Sequence, residues 1–353
     1  MYSIDVAKRS FDLVHQHELS KDEDAPMTIA VLPETKHIVA GINSNVDTLK
    51  QGKNDNLRVF TYDKTTIQFE KAQQTLKSSD EEQYQKVTAF SRTSPSLVAI
   101  GSTDSQLSLH TFPELKTVYP AIEYEGNELF DVDFDDAGEI LIGTSSDKLC
   151  AWPTKPPNEG EPLETIQVIE RPVLKPTLNC TFRAAKFGRG LTKSFIYTIV
   201  NAAPAVRTRK PAAGDKKSFV SMWDTKTWKL VKTRTVSQKP VTAFDISDDG
   251  SLLAYGSSDL SVGILDASTL RPIMTVLHAH EFPVTAIKFN PAATLVVSGS
   301  ADNTVRVIEV PSMEQRSGRS AMATILLTLL ILILAIYIQS RYGRDMLKAA
   351  GVL

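Results

Sequence analysis

The sequence predicts an all-β propeller followed by one apolar C-terminal helix. Three observations predict it. A unit of about 43 residues recurs along most of the chain, each unit alternates short apolar strands with Gly, Asp and Ser turns, and one uncharged apolar run lies near the C-terminus. A fixed period of this length marks a repeat architecture, in which a single unit cannot bury its own faces and must stack on the next.

The repeats can be read directly. Val241-Thr-Ala-Phe244 recurs as Val284-Thr-Ala-Ile287, and Gly256-Ser-Ser-Asp259 as Gly299-Ser-Ala-Asp302, both at an offset of 43 residues. Upstream, Val87-Thr-Ala-Phe90 leads to Gly101-Ser-Thr-Asp104, and Asp131-Val-Asp-Phe134 to Gly143-Thr-Ser-Ser146. Strand, polar turn, apolar strand, Gly-Ser turn and third strand, at this period, spell the WD-type blade. His280 stands four residues ahead of Val284, the histidine-to-strand spacing of WD repeats, and Trp223-Asp224 is a literal Trp-Asp pair. Leu265-Asp266 and Ile308-Glu309 replace that pair in the last two units.

Complete units are expected over 27–63, 86–115, 129–153, 179–233, 241–268 and 284–311. The unit 179–233 contains an insertion, 202–217, rich in Pro, Ala, Arg and Lys and expected to be a flexible loop. Its Gly214-Asp-Lys-Lys-Ser218 lacks the first glycine of a phosphate-binding loop. Ahead of residue 27, two strand-like pieces, 2–6 and 11–17, read as the outer half of a further blade, and the last unit reads as ending without its outer strand. The ring expected is seven-bladed with its first blade truncated, because an open ring would expose two long strand edges.

The apolar run 321–338 holds no charge in 18 residues. At 1.5 Å per residue it reaches roughly 27 Å, the hydrocarbon thickness of a thin bilayer such as that of the endoplasmic reticulum. Tyr337 and Tyr342 stand at one end, where aromatic rings favour the interface. Arg316 and Arg319 precede the run, and Arg341, Arg344 and Lys348 follow it, so flanking charge argues only weakly about orientation. The first residues show no apolar signal region. The expected order is a cytosolic propeller over 1–311, a juxtamembrane linker over 312–320, the span over 321–338 and a short lumenal tail over 339–353.

Composition removes several functions. With 39 basic and 41 acidic residues the net charge is −2, which gives no electrostatic basis for non-specific nucleic-acid binding. Cys150 and Cys180 cannot build a disulfide framework, are expected to be small buried apolar groups, and lie in no zinc spacing. His15/His17 and His278/His280 are expected to be blade-edge polar residues, and the acidic run Glu123 to Asp136 a solvated or partner-binding face. No nucleophile elbow, dinucleotide fingerprint or metalloprotease motif is present, so no catalytic, cofactor-binding or metal residue is assigned. The loop 43–56 is long for a hairpin and dense in Asn, Lys and Gly. Its Asn43, Asn45, Lys50, Lys53 and Asn54 are the candidate partner-contact residues, because loops bear function more often than the strands beneath them.

A propeller of this size running straight into a single C-terminal span resembles the endoplasmic-reticulum exchange factors that activate the Sar-type small GTPase at the start of COPII coat assembly. The likeness is best at Asp22-Glu-Asp-Ala-Pro26, at Gln51 to Asp63, and from His278 to Pro311. It implies a guanine nucleotide exchange factor, an enzyme regulator without covalent catalysis. It also implies residence in the endoplasmic-reticulum membrane with cycling to the Golgi. In that family a first-blade loop, stabilised by potassium, contacts the GTPase. The matching positions are missing here, so no exchange residue carries over, and 43–56 belongs to the next blade. The competing reading is a membrane-tethered scaffold without exchange activity. The glycosylation pattern at Asn179-Cys180-Thr181 would be idle in the cytosol.

Overall fold

Alternating apolar and polar residues, cut by Asp, Gly and Ser turns, fold into stacked antiparallel sheets in the computed structural model. It describes residues 1–312 except 77, 79, 94, 125–127, 157, 159–160, 162, 176 and 206–215, together with 325–337. The first blade comprises β3 (Glu23–Leu32), β4 (His37–Ser44), β5 (Leu57–Tyr62) and β6 (Ile67–Gln73). The second comprises β7 (Gln85–Phe90), β8 (Leu97–Ser102), β9 (Gln106–Thr111) and β10 (Ile122–Glu123), and the third β11 (Asp131–Phe134), β12 (Ile140–Thr144), β13 (Lys148–Pro153) and β14 (Gln167–Glu170). The fourth holds β15 (Leu178–Phe187), β16 (Phe195–Pro204), β17 (Lys217–Asp224) and β18 (Leu230–Ser237). The fifth holds β19 (Val241–Ile246), β20 (Leu252–Ser257), β21 (Val262–Asp266) and β22 (Pro272–Val276). The sixth has three strands, β23 (Val284–Phe289), β24 (Leu295–Ser300) and β25 (Val305–Glu309).

Several predicted units therefore stop short, because the outer strands β6, β10, β14 and β22 lie beyond their predicted ends. These outer strands bury little, so their apolar signal is weak. The two N-terminal pieces pair with each other as an antiparallel hairpin, β1 (Tyr2–Asp5) with β2 (Ser10–Leu13). Six blades and this two-stranded sheet are what the described residues form, against the seven expected.

The core lies between blades. One cluster joins Tyr197, Ile199 and Met222 of the fourth blade to Phe244, Leu253 and Tyr255 of the fifth. Another joins Leu107 and Leu109 of the second to Phe134, Leu141 and Trp152 of the third. Cys150 and Cys180 are buried in such clusters, as expected, and neither forms a disulfide.

Polar contacts reinforce the same boundaries. The Arg189 guanidinium donates twice to Asp133 at 2.7 and 2.8 Å, and the Phe187 amide donates to the same carboxylate at 2.8 Å. Lys186 donates to Asp131 at 2.6 Å. Two interfaces on, between the fifth and sixth blades, Lys288 and the Phe289 amide donate to Asp245 at 2.6 and 3.0 Å. The acidic run was expected to be a solvated face. Asp131 and Asp133 instead turn inward, and Asp133 is buried against Arg189, because the neighbouring blade supplies the cations. Burial opposes a charged Lys186, but the Asp131 and Asp133 carboxylates outweigh it and raise the ammonium pKa.

Glycines record which blade faces are covered. A Cβ at Gly41 would meet Gln85 at 2.9 Å, one at Gly101 would meet Leu129 at 2.9 Å, and one at Gly256 would meet Val284 at 2.5 Å, in each case a residue of the following blade. At Gly299 of the sixth blade nothing lies within 4 Å. The inner strand of the first blade is correspondingly open, with Met27, Ile29 and Val31 exposed.

Residues 325–337 form a helix, α2, with its apolar side chains exposed. No helix among the described residues is long and apolar enough to cross a membrane, and 321–324 and 338 of the predicted span lie outside them. Most of the insertion expected to be flexible, 206–215, also lies outside the described residues, whereas its ends Ala202 and Lys217 pair across β16 and β17.

Gly256→Ala should lower stability by about 1–3 kcal/mol, the usual cost of overpacking, while Gly299→Ala should stay within about 0.5 kcal/mol of the parent. Chemical denaturation of both variants checks this; equal losses would mean that Gly299 is as covered as Gly256.

Candidate functional site

Antiparallel pairing sorts the connections to two ends of the stack. In each blade the link between second and third strands lies at one end, together with the link from the outer strand to the next inner strand. This loop face collects the loop 43–56, the ends of the insertion and the turns at Asp104, Asp259 and Asp302. β25 runs away from it, so the chain beyond residue 309 leaves from the opposite end.

The loop 43–56 is built by its asparagines. Asn45 caps the short helix α1 (Val46–Leu49) by accepting from the Thr48 amide at 2.9 Å, and its own amide donates to the Lys21 carbonyl. Buried Asn54 accepts from the Ser44 amide at 3.0 Å and donates to Asn43, which donates to the Gln83 carbonyl. Asn56, which the sequence reading passed over, accepts from the Thr75 and Leu76 amides and fastens the link to the second blade. Its run of asparagines was the available signal, since that side chain mimics backbone in turns. Asn43, Asn45 and Asn54 therefore hold the loop, while Lys50 and Lys53 point into solvent with Asp47 and Asp55. Their side-chain oxygens already accept protein N–H groups.

His280 is not the blade-edge residue expected. It is buried, with Nε2 2.8 Å from Ser298 Oγ and Nδ1 3.0 Å from Thr304 Oγ1 and 3.2 Å from Asp302. Asp302 also accepts from the Glu281 and Thr304 amides. Burial alone would raise the Asp302 pKa, but these hydrogen bonds outweigh it and hold the carboxyl well below the usual range. Asp259, one repeat earlier, is lowered in the same way by Ser261 and Ser237. Among the described residues no group of three or more His, Cys, Asp or Glu could hold a metal ion.

The inner strands end at this face in a second feature. β7, β15, β19 and β23 each carry a bulge at the same place, and the bulged residues are Lys86, Arg183, Thr242 and Thr285. A bulge re-aims a side chain. Here Lys86 lies over the Phe130 ring at 4.2 Å and Arg183 lies 5.7 Å from the same centroid. Lys86 is paired with Glu128 at 2.7 Å.

Residues 271–309, from the outer strand of the fifth blade through the sixth blade and including His280 and Asp302, match the WD domain, G-beta repeat model. Over 96% of its length the chain is 28% identical to "Guanine nucleotide-exchange factor SEC12" of Candida glabrata, covering 70% of that protein. The likeness to a protein named as an exchange factor thus runs along nearly the whole chain. The chain is also 25% identical over 60% of its length to the mouse protein of that name, and 23% identical over 63% to "SEC12-like protein 2" of Arabidopsis thaliana. It spans about half the length of each of these two. Among solved structures, Raptor of Chaetomium thermophilum superposes with a TM-score of 0.59 at 12% identity, over 83% of this chain and 24% of that one, and supports the propeller fold alone.

Folding favours the ionised forms of Asp259 and Asp302, so their contribution is complete above the unfolded carboxyl value near 4 and is lost as pH falls below it. The melting temperature should be level from about pH 7 to 5 and drop below about pH 4. The Asp259→Asn/Asp302→Asn double variant should melt lower at neutral pH with a shallower acid limb. An acid limb as steep as the parent's would remove these two groups as its source.

Proposed function

We propose that this chain is a guanine nucleotide exchange factor for a Sar-type small GTPase, acting from the cytosolic side of the endoplasmic-reticulum membrane. The observation that carries the reading is the homology along 96% of the chain to proteins named as exchange factors. Exchange needs no covalent chemistry: a factor that binds the nucleotide-free GTPase better than the GDP-bound form speeds GDP release by that difference in affinity. Such a factor needs a shaped docking face rather than a catalytic constellation. The loop face offers one, with Lys50 and Lys53 exposed on an asparagine-braced loop.

The apolar segment 321–338 is the anchor in this reading. Because β25 leaves from the end opposite the loop face, an anchor there turns the loops toward the cytosol and the GTPase. The β1–β2 hairpin is read as the outer half of a seventh blade, and potassium has no assigned role in this chain.

The full chain in detergent micelles should accelerate mant-GDP release from the Sar-type GTPase, followed by fluorescence. Unchanged release, with the GTPase or coat proteins still captured, would hand the role to the membrane-tethered scaffold.

A further inference from the structure

We infer that the mouth of the propeller on the loop face, built by Lys86, Phe130 and Arg183, receives a short carboxylate-bearing segment of the protein partner. The inference rests on the exchange-factor reading and names the contact within it. Arg183 is the bulge residue of β15, standing between Phe182 and Ala184 where the register slips. The slip frees its side chain from the sheet and turns it toward the Phe130 ring. Among the described residues Arg183 has neither a hydrogen bond nor a carboxylate partner, although its side chain is half-buried. The other bulge residues are satisfied. Lys86 has Glu128, Thr242 donates to the Val284 carbonyl, and Thr285 donates to the Gly299 carbonyl.

Lys86 and Arg183 lie against one aromatic ring, Glu128 is paired with Lys86, and among the described residues Arg183 has no counter-ion. A half-buried guanidinium on a ring is weakly hydrated and presents a fixed fork of donors, which suits a carboxylate approaching along the axis. The surroundings decide what carries that carboxylate. The same face exposes both signs, with Asp22, Asp47, Asp80, Glu82, Glu128 and Glu281 beside Lys21, Lys50, Lys53 and Lys239. A nucleic acid or an anionic bilayer would bring many negative charges against the carboxylates of this mixed rim. A protein segment places one or two carboxylates at the centre and can offer basic residues to the rim, which is the complementarity that sets partner choice and association rate.

The test uses the full chain with the nucleotide-free Sar-type GTPase, measuring affinity and association rate at low and moderate salt, and GDP release in parallel. Arg183→Glu and Lys86→Glu should each weaken binding about tenfold or more and flatten the salt dependence, with melting temperatures near the parent's. Arg183→Lys, which keeps the charge, should recover part of the loss. If the parent binds and drives exchange while both reversals do so equally well, the mouth contact is overturned and the exchange reading stands. If the parent itself neither binds nor drives exchange, the exchange reading fails first. Binding of anionic vesicles or an oligonucleotide that depends on Arg183, with the GTPase unaffected, would overturn the protein segment as occupant.

Discussion

A carboxylate buried at the boundary between two sheets persists only if the facing sheet neutralises it, and this constraint sets two of the blade boundaries, third to fourth and fifth to sixth. Asp133 meets an arginine nitrogen that spans both its oxygens and a backbone amide from the next blade, and Asp245 meets a lysine and an amide two interfaces later. Apolar packing would hold the blades together in many registers, because it has little direction. These charge-assisted contacts have direction, so they fix how far each inner strand slides along its neighbour. One of these boundaries, between β11 and β15, is where Arg183 meets Phe130 on the loop face. Position along the axis, rather than catalytic chemistry, is what the fold delivers to a partner.

The two ends of the stack are unlike. The loop face carries the long asparagine-braced loop, the ends of the insertion and the basic mouth. The opposite end brings the links between first and second strands together, where Arg92 of the second blade reaches Asp248 of the fifth at 2.6 Å. The chain beyond β25 also leaves there. One end is tied across its middle and the other is open for docking, which agrees with a factor that presents one face to a GTPase while held from behind.

The inner and middle strands were legible because they repeat: Val-Thr-Ala-Phe and Gly-Ser-x-Asp recur with little change, and each marks a buried strand or its turn. The outer strands were not. Ile122 and Glu123 of β10 and Pro272 to Val276 of β22 are largely solvent-facing, and nothing in their composition separates them from a loop. Charges misled for a different reason. Asp131 and Asp133 read as surface because their partners, Lys186 and Arg189, stand over fifty residues away in sequence. His280 misled likewise, since the Ser298, Asp302 and Thr304 groups that satisfy it lie on the far side of a strand pair. In the candidate loop the named residues divide by role. The asparagines build it, and Lys50 and Lys53 stand exposed with Asp47 and Asp55. Arg183 was hidden because a bulge has no sequence signature stronger than a displaced repeat.

The most direct measurement is a double-mutant cycle on Asp133 and Arg189, with Asp133→Ala, Arg189→Met and the pair compared by denaturant unfolding. If carboxylate–cation contacts set the blade boundary, each single variant leaves an uncompensated buried charge and the double relieves it. The coupling should then be about 2–3 kcal/mol. Additive losses, within about 0.5 kcal/mol, would mean that apolar packing alone orders the blades, and would contradict the account.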